Sequence, residues 1–237
     1  MVSSYGISVF YPCFNEEGNI ERVVQEALDV LPNITADYEI IIVDDGSADR
    51  TGDIANRLAR KERCIRVVQH PVNKGYGCAL QSGFKAARKE LVFYTDGDGQ
   101  FDISEISKLL PLIHEFDIVS GYRANRQDSM IRSLNAFLWG MLVRSVLRFE
   151  CRDVDSAFKL YRREILDRIP IKSTGSLVDA EIFARAKRAG YRLAQVAVHH
   201  RPRIAGKQTG ANPKVIFKAF KELWQLRKEI LADRRNV

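Results

Sequence analysis

The chain has 237 residues, 46% of them hydrophobic and 28% charged, with a formal net charge of +7. That length supports one good core rather than two large domains, and the composition excludes a disordered or low-complexity chain. The positive balance favours anionic partners without choosing among phosphates, nucleic acid and an acidic membrane surface.

In chain order, short β-branched runs at ISVFY (7–11), YEIIIV (38–43), IRVVQ (65–69), LVFYT (91–95) and DIVSG (117–121) alternate with amphipathic stretches. These stretches begin near Asn19, Thr51, Ala79 and Ser104. Strand, helix, strand repeated in this way predicts an α/β fold with a mostly parallel central sheet and helices on both faces. The opening MVSSYGISVFYPCFNEE has no basic segment followed by a signal-peptide apolar run, so the chain is expected on the cytoplasmic side. Cys13, Cys64, Cys78 and Cys151 show no C-x-x-C spacing, which argues against a zinc site and a disulfide framework. The apolar stretch 133–143 is too short to span a bilayer.

Polar clusters follow three of the runs: Pro12-Cys13-Phe14-Asn15-Glu16, Asp44-Asp45-Gly46-Ser47 and Asp96-Gly97-Asp98. Ligands of open parallel sheets bind outside the carboxyl ends of the strands, so the three clusters are expected to converge on one pocket. In an extended segment Asp96 and Asp98 point to the same side, where a hard divalent cation would satisfy both. Mg²⁺ held by one or two carboxylates completes its shell with water and phosphates, which suits a nucleotide diphosphate. An acidic turn is the plainer reading of Asp and Gly alone. An EF-hand loop is disfavoured because Ser107 stands at its twelfth position.

Asp44 and Asp45 are expected to accept hydrogen bonds from a nucleobase or ribose, while Ser47 and Asp49 are capping candidates for the helix at Thr51. Lys74, Gly75 and Gly77 mark a turn where backbone approaches the nucleotide. Leu80 in place of a third glycine excludes a Rossmann dinucleotide fingerprint.

Pro12-x-x-Asn15-Glu16, Asp44-Asp45-Gly46-Ser47, Asn73-Lys74-Gly75 and Asp96-Gly97-Asp98-Gly99-Gln100, in this order and spacing, resemble the inverting glycosyltransferases of family 2, with the GT-A fold. The resemblance covers nearly the whole chain. Asp153-Val154-Asp155-Ser156-Ala157-Phe158-Lys159 resembles the D-x-x-S-G-F-R segment of the dolichol- and polyprenyl-phosphate glycosyltransferases, and the segment from His200 to Lys207 resembles their basic closing loop. Ala157, Lys159, Gln208-Thr209 and Ala136 depart from that pattern and put acceptor contacts in question.

The resemblance implies a GT-A (nucleotide-diphospho-sugar transferase) catalytic domain over 1–212, followed by an amphipathic basic helix over 213–237. It implies that Pro12, Asn15, Glu16, Asp44, Asp45, Lys74, Gly75 and Asp96 line a nucleotide sugar. Asp96, Asp98 and Gln100 would hold Mg²⁺ or Mn²⁺, and Arg123, Arg132, Arg201, Arg203 and Lys207 would meet phosphates. The candidate catalytic residues are Asp98, through the metal, and Asp153 or Asp155 as a base for a hydroxyl acceptor. A phosphate acceptor needs no base, since a phosphate monoester has a second pKa of about 6.

Two amphipathic segments are expected to meet a membrane surface or the core. In the first, Ile131, Leu134, Leu138, Trp139, Met141, Leu142, Val146 and Phe149 share a broad face with Arg144 and Arg148 off it; in the second, Ile216, Phe217, Phe220, Leu223, Trp224 and Leu231 oppose Lys214, Lys218, Lys221 and Lys228. The expected activity is transfer of a hexose from a UDP- or GDP-hexose to a polyprenyl (dolichyl or undecaprenyl) phosphate, at the cytoplasmic membrane face. The rivals are a saccharide or glycolipid hydroxyl acceptor and a nucleotide-sugar-binding protein without catalysis. Nucleic-acid binding is disfavoured because basic and acidic residues interleave.

Overall fold

The apolar runs become strands because the middle of the sheet is covered on both sides, and residues such as Ile40, Ile41, Val92 and Phe93 are fully buried. The computed structural model describes residues 4–124, 130–203 and 213–233, with backbone only at 130–137 and 213–219. Its strands are β1 (Ile7–Cys13), β2 (Tyr38–Asp44), β3 (Ile65–Gln69), β4 (Leu91–Thr95), β5 (Ile118–Arg123), β6 (Phe158–Arg162) and β7 (Leu193–Val198). The helices are α1 (Ile20–Val30), α2 (Thr51–Lys61), α3 (Tyr76–Ala86), α4 (Ile106–Leu109), α5 (Met130–Leu147), α6 (Arg163–Arg168), α7 (Val178–Arg188) and α8 (Pro213–Ala232).

The sheet has seven strands in the order β3-β2-β1-β4-β6-β5-β7. It is parallel except at β6, which runs antiparallel to both β4 and β5. The expected α/β architecture is therefore present. On one face Phe10, Tyr94 and Tyr161 form an aromatic row against Phe84 of α3. A Cβ on Gly83 would fall 2.3 Å from the Phe10 ring, so α3 needs glycine there to sit this close.

Several boundaries differ from the expected ones. The third helix starts at Tyr76 rather than near Ala79, and the element near Ser104 is a short helical turn running into α4, with Pro111 closing off continuation. Strands β6 and β7 were not among the expected runs. Lys159 and Arg162 interrupt β6 and Gln195 interrupts β7, so neither shows an apolar run.

The amphipathic faces are also corrected. In α5, Val143, Val146 and Leu147 are buried while Leu138 and Met141 are exposed; in α8, Leu223, Leu226 and Ile230 are buried while Phe220, Trp224 and Leu231 are exposed. Both helices carry more apolar residues than one stripe can hide, and their mutual packing selects which are covered. Ile131, Leu134, Ile216 and Phe217 lie outside the described side chains. No helix among the described residues is long and apolar enough to cross a membrane.

Candidate active site

Because β1 lies between β2 and β4, the three polar clusters leave the sheet side by side. Asp45 N donates to the Cys13 carbonyl at 2.9 Å, and Gly97 N to the Pro12 carbonyl at 3.4 Å. The loops are then stitched together by side chains. Asn15, in the left-handed region at φ 56°, donates its N–H to Ser47 Oγ and accepts from Ala48 N, and Glu16 N donates to Thr51 Oγ1. The expected convergence on one site is the geometry observed.

Asp44 and Asp45 are buried and hydrogen-bonded within the protein. Asp44 is 1% exposed and accepts from Ser47 N and Gln69 Nε2. Asp45 is 3% exposed, accepts from Lys74 N and Gly75 N at 2.9 and 2.8 Å, and contacts His70 Nδ1 at 2.6 Å. His70 in turn contacts Ser82 Oγ at 2.9 Å. These two acids brace the loops at the strand ends, and Asp45 fixes the turn at Lys74 and Gly75. Gly75, at φ 96°, allows that turn to lead directly into α3. The Lys74 side chain is exposed.

At the end of β4, Asp96 Oδ1 accepts from the Tyr76 hydroxyl at 3.1 Å and Asp98 Oδ1 from Gln100 N at 3.0 Å. Burial, followed by the negative charge of Asp98, pushes the Asp96 carboxyl up to about 7. Arg203 pairs with Glu16 Oε1 and stands 4.0 Å from Asp98 Oδ2. Burial pushes the Glu16 carboxyl up, opposed by hydrogen bonds from Asn19 and Arg203. Residues 200 and 201 lie along the carboxylate loop: Phe101 bridges to His200, Arg201 N donates to the Gln100 carbonyl, and Gln100 Nε2 donates to the Arg201 carbonyl at 3.1 Å. Arg201 also pairs with Asp102.

A divalent cation fits this arrangement. Two carboxylates crowd each other at a strand end; Asp96 has one oxygen held by Tyr76, and Asp98 has one held by Gln100 N with Arg203 4.0 Å from the other. No group of three or more His, Cys, Asp or Glu gathers among the described residues, so the rest of the shell would come from water and a diphosphate.

Other expected residues meet each other instead of standing open. Arg123 and Asp153 form a bidentate pair, while Asp155 keeps an exposed face. The protein packed around Asp155, together with the Asp153 charge, raises its carboxyl. Arg132 lies outside the described side chains and Lys207 outside the described residues.

Sequence reading missed Tyr76, Tyr94 and Asp179 as members of the site. Tyr94 alternates within an apolar strand and reads as core, and Asp179 opens α7 as an ordinary first-turn acid. The buried Lys159 was the one available signal, since a lysine inside an apolar strand requires an acidic partner.

A model of the family described as Glycosyl transferase family 2 matches residues 8–170. Glycosyltransferase AglD of Haloferax volcanii is 32% identical over 209 residues, covering 83% of this chain and 33% of that protein. Undecaprenyl-phosphate 4-deoxy-4-formamido-L-arabinose transferase of Salmonella choleraesuis is 29% identical over 206 residues, covering 84% of this chain and 61% of that protein. The chain thus spans between about a third and three-fifths of the length of these relatives. Glucosyl-3-phosphoglycerate synthase from Mycobacterium tuberculosis, in complex with Mn²⁺, uridine diphosphate and phosphoglyceric acid, superposes with a TM-score of 0.68 at 21% identity, over 97% of this chain and 77% of that one. The same synthase with Mg²⁺ and uridine diphosphate gives a TM-score of 0.66. At that identity the likeness shows the fold.

Proposed function

The chain belongs to glycosyl transferase family 2, and on that premise we propose that it transfers a hexose, with inversion, from a nucleoside-diphosphate sugar to a polyprenyl phosphate. The observation that carries the reading is the pairing of Asp96 and Asp98 at the end of β4, with Arg203 facing them from the segment after β7. The acceptor class is supported by the relative named for undecaprenyl phosphate.

In this reaction an acceptor phosphate oxygen forms the bond to the anomeric carbon as the bond to the donor diphosphate breaks. The nucleoside diphosphate leaves with the electron pair. Asp96 and Asp98 would hold a Mg²⁺ or Mn²⁺ ion, which when bound neutralises the leaving diphosphate as a Lewis acid. Arg203 adds a cation beside Asp98, suited to phosphate oxygens. Glu16 accepts from its guanidinium, and Asn19 in turn donates to Glu16.

The acceptor being anionic already, no general base is required. That agrees with Asp153 being tied to Arg123. A second reading, in which a saccharide hydroxyl is the acceptor, would use the exposed Asp155 next to the Arg123–Asp153 pair to take its proton.

We place the reaction at the cytoplasmic membrane face. Exposed Leu138, Met141, Phe220 and Trp224 lie on two helices joined by the Trp139 to Phe220 ring contact, and Arg148, Lys221 and Lys228 are exposed on the same helices or their ends. A shallow recess lined by Arg144 and Arg148, with Lys187 paired to Glu150 at its side, leaves a net positive charge suited to anionic headgroups.

The test is nucleoside diphosphate release from a panel of UDP- and GDP-sugars with Mg²⁺ or Mn²⁺, with and without undecaprenyl phosphate. Release that needs lipid phosphate and metal supports the reading and names the donor. Release only with saccharide acceptors favours the second reading.

A further inference from the structure

A buried charged column stands behind Asp96. Lys159 of β6 is 0% exposed; its Nζ lies 3.1 Å from the Tyr94 hydroxyl and 3.1 Å from Asp179 Oδ2, and it donates to the Ser156 carbonyl. The Tyr94 hydroxyl donates to the Asp179 carboxylate at 2.6 and 2.7 Å. Next to it lies the hydroxyl of Tyr76, the residue that opens α3.

Proton counting gives the column a direction. A phenol has one proton to give. Tyr94 gives its proton to Asp179 and receives a hydrogen bond from Lys159, and Tyr76 gives its own proton to Asp96 Oδ1. A donor to an ionised acceptor is stronger than a neutral pair.

The start of α3 is held independently. Gly77 N donates to the Thr174 carbonyl at 3.1 Å, and a Cβ on Gly77 would fall 2.5 Å from Thr174 backbone. Gln81 Nε2 donates to the Ser173 carbonyl, and Lys172 N and Ser173 N both donate to the fully buried Glu181 of α7. The two buried acids of α7 therefore serve one end of the site: Asp179 through Tyr94, and Glu181 through the 172–174 segment.

We propose that Tyr76 is a positioning residue for Asp96. Its hydroxyl holds one carboxylate oxygen so that the other faces the cation and diphosphate, and the column of Tyr94, Asp179 and Lys159 fixes where that hydroxyl stands. The proposal rests on the reading of Asp96 as a metal ligand. Tyr76→Phe keeps the half-exposed ring and removes the hydroxyl alone.

The test uses the full chain and Mn²⁺ as the probe, titrated in the presence of UDP or of GDP and followed by the loss of the free-ion electron paramagnetic resonance signal. Tyr76→Phe and Asp96→Asn are compared with the unmodified protein, each with its thermal midpoint. The expected result is Mn²⁺ binding weakened about tenfold in Tyr76→Phe, the size of one hydrogen bond to a charged group, with an unchanged midpoint, and lost in Asp96→Asn. Unchanged binding in Tyr76→Phe beside lost binding in Asp96→Asn overturns the positioning role alone. A weakening matched by a fall in midpoint makes Tyr76 a structural residue and overturns it as well. Intact binding in both variants contradicts the metal reading itself.

Discussion

Arg123 and Asp153 face each other as a bidentate pair, Nε to Oδ2 at 2.7 Å and Nη2 to Oδ1 at 2.8 Å. The pair joins the end of β5 to the segment entering β6, and both side chains are largely covered, at 14% and 13% exposure. Removing either side chain takes two charge-assisted hydrogen bonds from the other, so Arg123→Ala and Asp153→Ala should each cost about 1–3 kcal/mol in urea denaturation. The double variant should lose less than the sum, because the two residues act as one unit.

Transfer itself separates two roles for Asp153. With an anionic acceptor no base is lost in Asp153→Asn, so kcat should fall by less than the roughly 10²–10⁴-fold expected of a missing general base. A larger loss would assign proton abstraction to Asp153.

Asp96→Asn and Asp98→Asn should dissociate activity from folding. Each removes one of two crowded negative charges, so the thermal midpoint of the metal-free protein should not fall. Transfer should drop by at least about 10²-fold, the scale of losing one electrostatic group at the reacting centre.

Glu39 gives a pH dependence remote from the site. It is 7% exposed and accepts from Ser8 Oγ, Arg66 Nη2 and Arg88 N, each at 2.7 Å. Burial pushes its carboxyl up, but the hydrogen bonds from Ser8, Arg66 and Arg88 outweigh it and the net shift is downward. A depressed carboxyl contributes stability above the ordinary Glu value of about 4.3, and that stability is lost as pH falls through the lower folded value. Glu39→Gln should therefore lose about 1–3 kcal/mol at pH 7, and its urea midpoint should converge with the unmodified protein's in acid.

The exposed apolar residues of α5 and α8 should govern association with lipid. Sedimentation with phosphatidylcholine vesicles containing phosphatidylglycerol should fall at least severalfold in Leu138→Glu and in Trp224→Glu, with folding retained because both side chains are already exposed. Equal sedimentation would assign those residues no membrane role.

Much of this molecule was legible in its sequence, for a physical reason. Runs such as YEIIIV are buried on both faces and end in polar clusters, so strand position and site position are written in the same few residues. What could not be read depends on pairing across the sheet. Lys159 belongs to the site only because β6 runs antiparallel beside β4 and sets it opposite Tyr94. Asp153 reads as an available base until Arg123 is found across from it. In α8 the buried stripe of Leu223, Leu226 and Ile230 is one of two that the sequence permits, and contact with α5 and α7 selects it.

Sugar transfer to a lipid phosphate is measured by following a labelled sugar. The protein is incubated with labelled UDP- or GDP-hexose, undecaprenyl phosphate and Mg²⁺ or Mn²⁺, and label is counted in the lipid extract. Labelled lipid should form only with both metal and lipid phosphate and should disappear in Asp98→Ala. Label that passes only to a saccharide, or a donor that binds across the panel without being turned over, would contradict transfer to a lipid phosphate.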